Sequence, residues 1–417
     1  MVHHCVASIG LWILYGTSVF AIRDLKSTFE DLNIQKGLVY TPDEEAQHLA
    51  RFEEELKGQA EFISTEDVAD LFDETRPAIM QSFVDEINSK QKTWTASIEQ
   101  GRLKTFSLGD TKRLCGTLRE AASGLTKKVY APEELQDLPA DFDARSGFPK
   151  CSGVIGHIRD QSACGSCWAF GSTEAFNDRL CIKSDGNFTA LLSAGEMNAC
   201  APSLGCKGGY PVRAWRWLHD AGIATGNYSF PRADGGDYVE REMTKADGCW
   251  PYDFPPCAHY EKSTKYVACQ EARYSTPVCV QQCHNARASS DANRATPEEC
   301  MIGFRDRHFM VESSPYQYSS VDDAKKAIAT DGPVSAIIVI YEDFLAYKSG
   351  VYYKKNATEF GIGLHAVKII GWGEENGEDY WLVANSWNED WGDRGLCKIA
   401  FGQCGIEDQL LGGTPKV

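Results

Sequence analysis

The chain has 417 residues, 43% of them hydrophobic and 24% charged, which is ordinary for a folded soluble protein and enough for more than one compact unit. Its formal net charge of -17 excludes the basic surface that phosphate recognition needs, so no nucleic-acid partner is expected. The same acidity serves solubility and is compatible with an acidic compartment, while sixteen cysteines point to a compartment where disulfides persist.

In chain order, the first element is an apolar run from Val6 to Phe20, with Val19 and Ala21 at a cleavable end. It predicts a signal peptide over residues 1–21 and entry into the secretory pathway. No later stretch approaches the ~20 apolar residues of a spanning helix, so no stable membrane insertion is expected after its removal. Residues 22–138 are acidic and hold one cysteine, Cys115. Leu49, Phe52 and Leu56 share one helical face there, and Ile79, Met80, Phe83 and Ile87 share another. Fourteen of the sixteen cysteines lie beyond Lys150. The chain therefore divides near Pro139 into a segment with almost no crosslinks, 22–138, and a disulfide-dense domain, 139–417.

Beyond Pro139 a helix is predicted from about Cys167 to Lys183, burying Trp168, Ala175, Phe176 and Leu180. Ser193 and Glu196 have capping-box spacing and open a short helix. Pro211 suits a first helical position, Val212, Trp215 and Leu218 form its stripe, and Gly222 closes it. Trp215 and Trp217 are read as core and rim packing. Ser320 caps a helix carrying Val321, Ala324 and Ile328, which stops at Gly332 and Pro333. Strands follow: Val334 to Ile340, His365 to Trp372, Tyr380 to Ala384 and Leu396 to Phe401. Helices first and strands later imply an α+β architecture with two lobes. Two polar stretches, 225–248 and 284–307, read as long surface loops. Sequons at Asn187, Asn227 and Asn356 fit a secretory route.

The chemistry concentrates in QSACGSCWAF, Gln161 to Phe170. A thiolate is the reactive form of cysteine, and Cys167 sits where a helix N-terminus would stabilise one. Unpaired N–H groups there, with the neutral amide of Gln161, could face an oxyanion. His365 opens a strand in GLHAVKIIGWG, and Asn385 lies in WLVANSW. An Asn carbonyl can hold one imidazole nitrogen so that the other points at sulfur, and Trp387 could shield that bond from water. Such a Cys–His pair is expected to rest as thiolate and imidazolium. Cys164 and Cys167 also form a C-x-x-C, which by itself reads equally as a redox dithiol or half a zinc site. Cys279, Cys283 and His284 imitate a metal site, but no matching fourth ligand lies near.

These motifs resemble the papain-like cysteine peptidases, whose signature is CGSCW. The cathepsin B subgroup matches best, through LPADFDAR at Leu138, GCKGGYP at Gly205, CWPYDFPPC at Cys249, YKSGVYY at Tyr347, YWLVANSWNEDWGDRG at Tyr380 and CGIEDQLLGG at Cys404. WTAS at Trp94 and KRLCGTL at Lys112 resemble that subgroup's propeptide. The resemblance implies a two-lobed papain-like fold, a helical lobe plus a β-barrel-like lobe, with the active site in the cleft between them. It implies a cysteine endopeptidase that needs no cofactor or metal and is made as an autoinhibited zymogen with propeptide 22–138. Gln161, Cys167, His365 and Asn385 become the catalytic set, supported by Trp387 and Asp160. Gly208, Gly209, Pro211, Leu364, Ala366 and Gln409 become substrate-binding positions. The implied disulfides are Cys151–Cys181, Cys164–Cys206, Cys200–Cys279, Cys249–Cys283 and Cys257–Cys269, which leave Cys167 reduced.

The resemblance also implies partners: protein and peptide substrates, the chain's own propeptide as inhibitor, and cystatin-like protein inhibitors. It places the enzyme in a lysosome-like acidic vesicle or outside the cell. The propeptide from about Trp94 to Leu118 should lie along the cleft with Cys115 near Cys167. Two positions depart from the subgroup. Its cleft-blocking loop, here 257–269, presents two histidines to a substrate carboxylate, and this chain has His259 followed by Tyr260. An Asp160–His259 latch and a Lys265–Asp390 pair remain available to that loop. The subgroup's second-subsite acid is Gln409 here. Dipeptidyl carboxypeptidase activity should therefore be weak, and apolar side chains should be preferred over arginine. The contrasting reading is a catalytically inactive papain-like homologue that binds peptides.

Overall fold

The computed structural model describes residues 73–120, 124–227, 248–259, 265–280, 314–354 and 361–417. The signal peptide, the Leu49–Phe52–Leu56 face, the Asn356 sequon, most of loop 225–248, all of loop 284–307, and Tyr260, Cys283 and Cys300 lie outside the described residues.

Helix α1 (Gln81–Lys90) buries Val84 and Ile87, while Met80 is its N-cap residue. Two side-chain amides fasten it to strand β1 (Trp94–Ala96). Asn88 exchanges two 2.9 Å hydrogen bonds with the Ala96 main chain. Gln91 accepts from the Trp94 N–H at 3.0 Å and donates to its carbonyl. An amide carries both donor and acceptor, so each stands in for a neighbouring strand. Helix α2 (Leu108–Leu114) starts at a capping box of Ser107 and Asp110 and delivers the chain to Gly116.

Among the described residues ten strands form one sheet. Its order is β1, β8 (Tyr347–Tyr352), β11 (Leu396–Ala400), β10 (Glu378–Ala384), β9 (Gly363–Glu375), β7 (Val334–Ile340), β12 (Leu410–Gly412), β6 (Tyr316–Tyr318) and β2 (Thr126–Lys128), with β3 (Phe142–Asp143) also on β9. Both ends, β1 and β2, come from the segment before Pro139. Ile79, Val84, Ile87, Trp94, Leu103 and Phe106 join Ile338, Tyr347, Trp381 and Trp391 in one buried cluster. The compact unit accordingly begins at Asp73, so the compositional division at Pro139 is not a packing boundary. The acidic average of 22–138 conceals enough apolar surface to share a core.

A second cluster fills the helical lobe: Trp168, Phe176 and Leu180 of α3 (Cys167–Lys183), Met197 of α4 (Ala194–Cys200), and Trp215 and Leu218 of α5 (Pro211–Asp220). Helix α3 has the predicted bounds and is buried all round, as a central helix should be. Ser193 caps α4 through the Glu196 N–H at 2.8 Å, but the Glu196 carboxylate turns to the Ala224 N–H, so the expected box is half formed. The Trp215 indole donates to Ser335 at 2.7 Å, and Trp217 packs at the rim. Helix α6 (Val321–Thr330) is capped by Ser320.

Disulfides join Cys151–Cys181, Cys164–Cys206, Cys200–Cys279 and Cys257–Cys269, as the resemblance implied. Cys249 is disulfide-bonded too, its expected partner Cys283 being outside the described residues. Cys167, Cys397 and Cys404 are buried thiols. The Cys164–Cys206 bridge settles the C-x-x-C against a redox dithiol. Among the described residues no helix is long and apolar enough to cross a membrane.

Candidate active site

Cys167 is the first residue of α3 and is fully buried. Its Sγ lies 3.2 Å from Oγ1 of Thr117. Backbone N–H groups of Ala366, Gly116 and Trp168 also face the sulfur and favour the thiolate, but burial is the larger effect and pushes the thiol up.

His365 stands on β9 opposite Ile338 of β7. Its Nε2 is 2.7 Å from Asn385 Oδ1. A carbonyl oxygen only accepts, so Nε2 carries the proton and Nδ1 keeps a lone pair. The same Oδ1 accepts the Ser386 N–H at 2.8 Å, and the Trp387 ring lies 4.7 Å from the imidazole. Burial pushes the imidazole down to about 4, with Asn385 opposing the shift. Both shifts favour the uncharged thiol and imidazole over the expected thiolate–imidazolium pair, because covering the cleft desolvates both charges.

What covers the cleft is the chain itself. Gln161 Nε2 donates to the Leu114 carbonyl at 2.9 Å and to that of Cys164 at 2.8 Å. Its Oε1 accepts from Ser386 Oγ at 2.9 Å, which fixes the amide orientation. Thr117 N–H donates to the Leu364 carbonyl, Leu118 N–H to the Gly209 carbonyl, and Gly209 N–H to the Gly116 carbonyl, at 2.8–3.1 Å. The segment runs parallel to both walls, beside Leu364 and Gly209. A Cβ on Gly116 would stand 1.9 Å from the Gly165 carbonyl, and one on Gly209 2.4 Å from the Trp168 ring. Glycine at both positions lets two backbones pass this close. Cys115 was expected near Cys167: the residue after it, Gly116, turns its N–H to that sulfur, while the Cys115 Sγ itself bonds the Thr111 carbonyl at 3.5 Å. The closest approach is at Gly116, so the next side chain, Thr117, faces the sulfur.

Gly208 adopts φ 125° beside the Gly116 carbonyl, and Pro211 is buried at the start of α5. Gln409 is 5% exposed, and its Oε1 has no hydrogen-bond partner among the described residues.

Loop 257–269 is closed by its disulfide and by pairing of β4 (Cys257–Ala258) with β5 (Val267–Ala268). Lys265 reaches Asp390 at 2.5 Å, as expected. The Asp160–His259 latch is not formed. Arg102 holds Asp160 through two bonds of 2.9 and 2.6 Å, helped by Asn388 at 2.9 Å. The main-chain N–H of His259 donates to Thr105 Oγ1 at 2.9 Å, and its imidazole lies edge-on to Phe106. The guanidinium fork matches both carboxylate oxygens, and the turn carrying it occupies the space toward the loop. Arg102, Thr117, Ser386 and Asn388 had not been singled out from sequence. Ser386 and Asn388 flank motif residues, whereas nothing local marks Arg102.

Residues 138–414 match the family described as papain family cysteine protease. The chain is 38% identical over 348 residues to cathepsin B-like cysteine proteinase 4 of Caenorhabditis elegans, covering 82% of this chain and 94% of that one. It is 40% identical over 323 residues to a cathepsin B-like cysteine proteinase of Schistosoma japonicum, covering 74% and 84%. Its structure resembles procathepsin B S9 from Trypanosoma congolense, with a TM-score of 0.63, 30% identity and coverage of 82% and 100%. The chain belongs to the papain family of cysteine proteases: it is a cathepsin B-type zymogen, a peptidase whose own propeptide is its inhibitor.

Proposed function

We propose that the matured protein is an endopeptidase in which Cys167 is the nucleophile, His365 the acid and base, Asn385 the group orienting it and Gln161 the oxyanion donor. Once the propeptide leaves, water enters and the desolvation that favours both uncharged groups is relieved. The proton of Cys167 passes to His365 Nδ1, and the thiolate attacks the peptide carbonyl. Gln161 Nε2, which binds the Leu114 carbonyl in the zymogen, then binds the oxyanion. His365 gives its proton to the leaving amine and afterwards activates the water that hydrolyses the acyl-enzyme. Residues 1–21 serve as a signal peptide and 22–138 as the propeptide removed near Leu138, in a lysosome-like vesicle or outside the cell. Cystatin-like inhibitors would enter the same cleft.

The observation that carries this reading is the propeptide main chain passing over Cys167 while its Leu114 carbonyl sits on Gln161. A thiol-directed peptide electrophile tests it. The acid-matured protein should be labelled at Cys167 and the zymogen should not. Absence of labelling in a folded, matured sample would favour the inactive homologue. His259 without a second histidine supports endopeptidase over dipeptidyl carboxypeptidase action. Tyr260→His should raise cleavage of free-carboxylate peptides over amidated ones by up to about fivefold, as suits one exposed ionic contact. An unchanged ratio would remove that loop position from the specificity argument.

A further inference from the structure

Past the nucleophile the propeptide carries two adjacent charges, and each meets an opposite charge on a different element. Arg119 Nη1 donates to Asp408 Oδ2 at 2.9 Å. Glu120 Oε1 accepts from Arg213 Nε at 2.8 Å, and its Oε2 lies 3.6 Å from Arg216 Nη1. Arg213 and Arg216 are three residues apart on α5, so they share one helix face. The Arg213 guanidinium also lies 4.0 Å from the Tyr210 ring centroid, which restricts it. Asp408 sits on the turn before β12, and Gln317 anchors its carbonyl at 2.9 Å. Even beneath the propeptide the three enzyme side chains are 41%, 42% and 58% exposed, so an incoming peptide can reach them.

The path between these contacts and the sulfur is short. Thr117 is on Cys167 Sγ, Leu118 bonds Gly209 and packs by Gly208, and Arg119 and Glu120 follow. Successive side chains of an extended chain point to opposite sides. Any extended peptide threading the same path therefore offers its third and fourth residues from the sulfur to these two elements. We infer that Asp408 and the Arg213–Arg216 pair form two charge-selective subsites, which take a basic and an adjacent acidic side chain of a peptide substrate. A substrate running opposite to the propeptide would read, toward its cleaved bond, acidic, basic, apolar, any residue. This rests on the reading of Cys167 as nucleophile.

The test compares three fluorogenic tetrapeptide amides on matured enzyme: Glu-Arg-Leu-Ala, the neutral Gln-Gln-Leu-Ala, and the reversed Arg-Glu-Leu-Ala. Two exposed ion pairs should raise kcat/KM of the first over the neutral peptide by about tenfold, and the reversed peptide should fall below neutral. Asp408→Asn should shrink the charged-to-neutral ratio by removing the gain from arginine. Arg213→Gln with Arg216→Gln should remove the gain from glutamate. About 0.5 M salt should compress the ratio in the unmodified enzyme. The neutral peptide keeps the two readings apart, because failure to cleave it removes the catalytic assignment itself. Cleavage with no charge preference, or with preference for the reversed order, overturns the subsites alone.

Discussion

At the β1–β8 edge the propeptide is held as part of a core. Trp94 packs on Tyr347 and Tyr352, with ring centroids 6.1 and 5.1 Å apart, and β1 pairs with β8. In the cleft the same propeptide is held by main-chain bonds to Leu364 and Gly209 and by ion pairs, among them Arg102 with Asp160 and Arg119 with Asp408. The first grip is mainly apolar, with the Arg76–Glu342 ion pair of 2.6 Å at its margin. The second is polar and uses carboxylates and the groups proposed to be catalytic. An inhibitor built this way can release the cleft while staying docked at the edge.

The largest effects should come where the two roles of the cleft coincide. Cys167→Ala should abolish hydrolysis while leaving the zymogen folded, and His365→Ala should do nearly the same. Gln161→Ala should cost roughly 10²–10³ in kcat, and should weaken the propeptide as well because the Leu114 bond is lost. Rates on matured protein, with full activity in Cys167→Ala, would contradict the assignment.

The two grips can next be broken separately. Arg102→Met leaves Asp160 buried without its cation, and Trp94→Ala opens a cavity under β1. Each should weaken propeptide binding by about 3–5 kcal/mol at neutral pH. The two should differ in how they are rescued: adding Asp160→Asn to Arg102→Met removes the uncompensated buried charge and should restore part of the loss, whereas no polar change restores Trp94→Ala. Propeptide inhibition constants for the variants would show this, and an unrescued double variant would undo the contrast between apolar and ionic grips.

The smallest effect is acid opening itself. In the closed form the His365 imidazole is lowered to about 4. A base with a depressed pKa binds fewer protons when closed than when solvated near ~6.5, so lowering the pH from ~6.5 toward 4 favours opening, by up to ~3 kcal/mol. Above ~6.5 this contribution is constant. Glu174 on α3 behaves oppositely. Burial raises its carboxyl to about 7, so the folded state binds more protons and that contribution to stability grows as pH falls from about 7 to about 4.5. The opposite signs predict that acid loosens the cleft while α3 holds. Hydrogen exchange of residues 114–120 in the Cys167→Ala zymogen should rise below pH ~6.5 while that of α3 does not. Opening that ignores pH in this window would remove His365 from the switch.

Chemistry that resides in short contiguous runs was legible in the sequence. QSACGSCWAF placed a cysteine at a helix start, and α3 begins at that residue because Gly165 and Ser166 end an irregular turn there and the next fifteen residues, Cys167–Cys181, are all buried. The Asn385 motif was legible for the same reason, whereas the disulfide pairs, which join separate runs, came only from the family resemblance. The propeptide was harder. Its acidic composition suggested a separate unit, yet Trp94 and Val84 belong to the same cluster as Trp391.

The sequence by itself determined which residues carry reactive groups and in what order, because those identities are local facts of side-chain chemistry. Only the tertiary structure decided that Thr117, not Cys115, faces the sulfur, that Arg102 and not His259 takes Asp160, and that both ends of the sheet are propeptide strands. Each is a choice among partners 50 or more residues apart in the chain. Such choices are set by which surfaces pack together once the core has formed, and no local pattern records them.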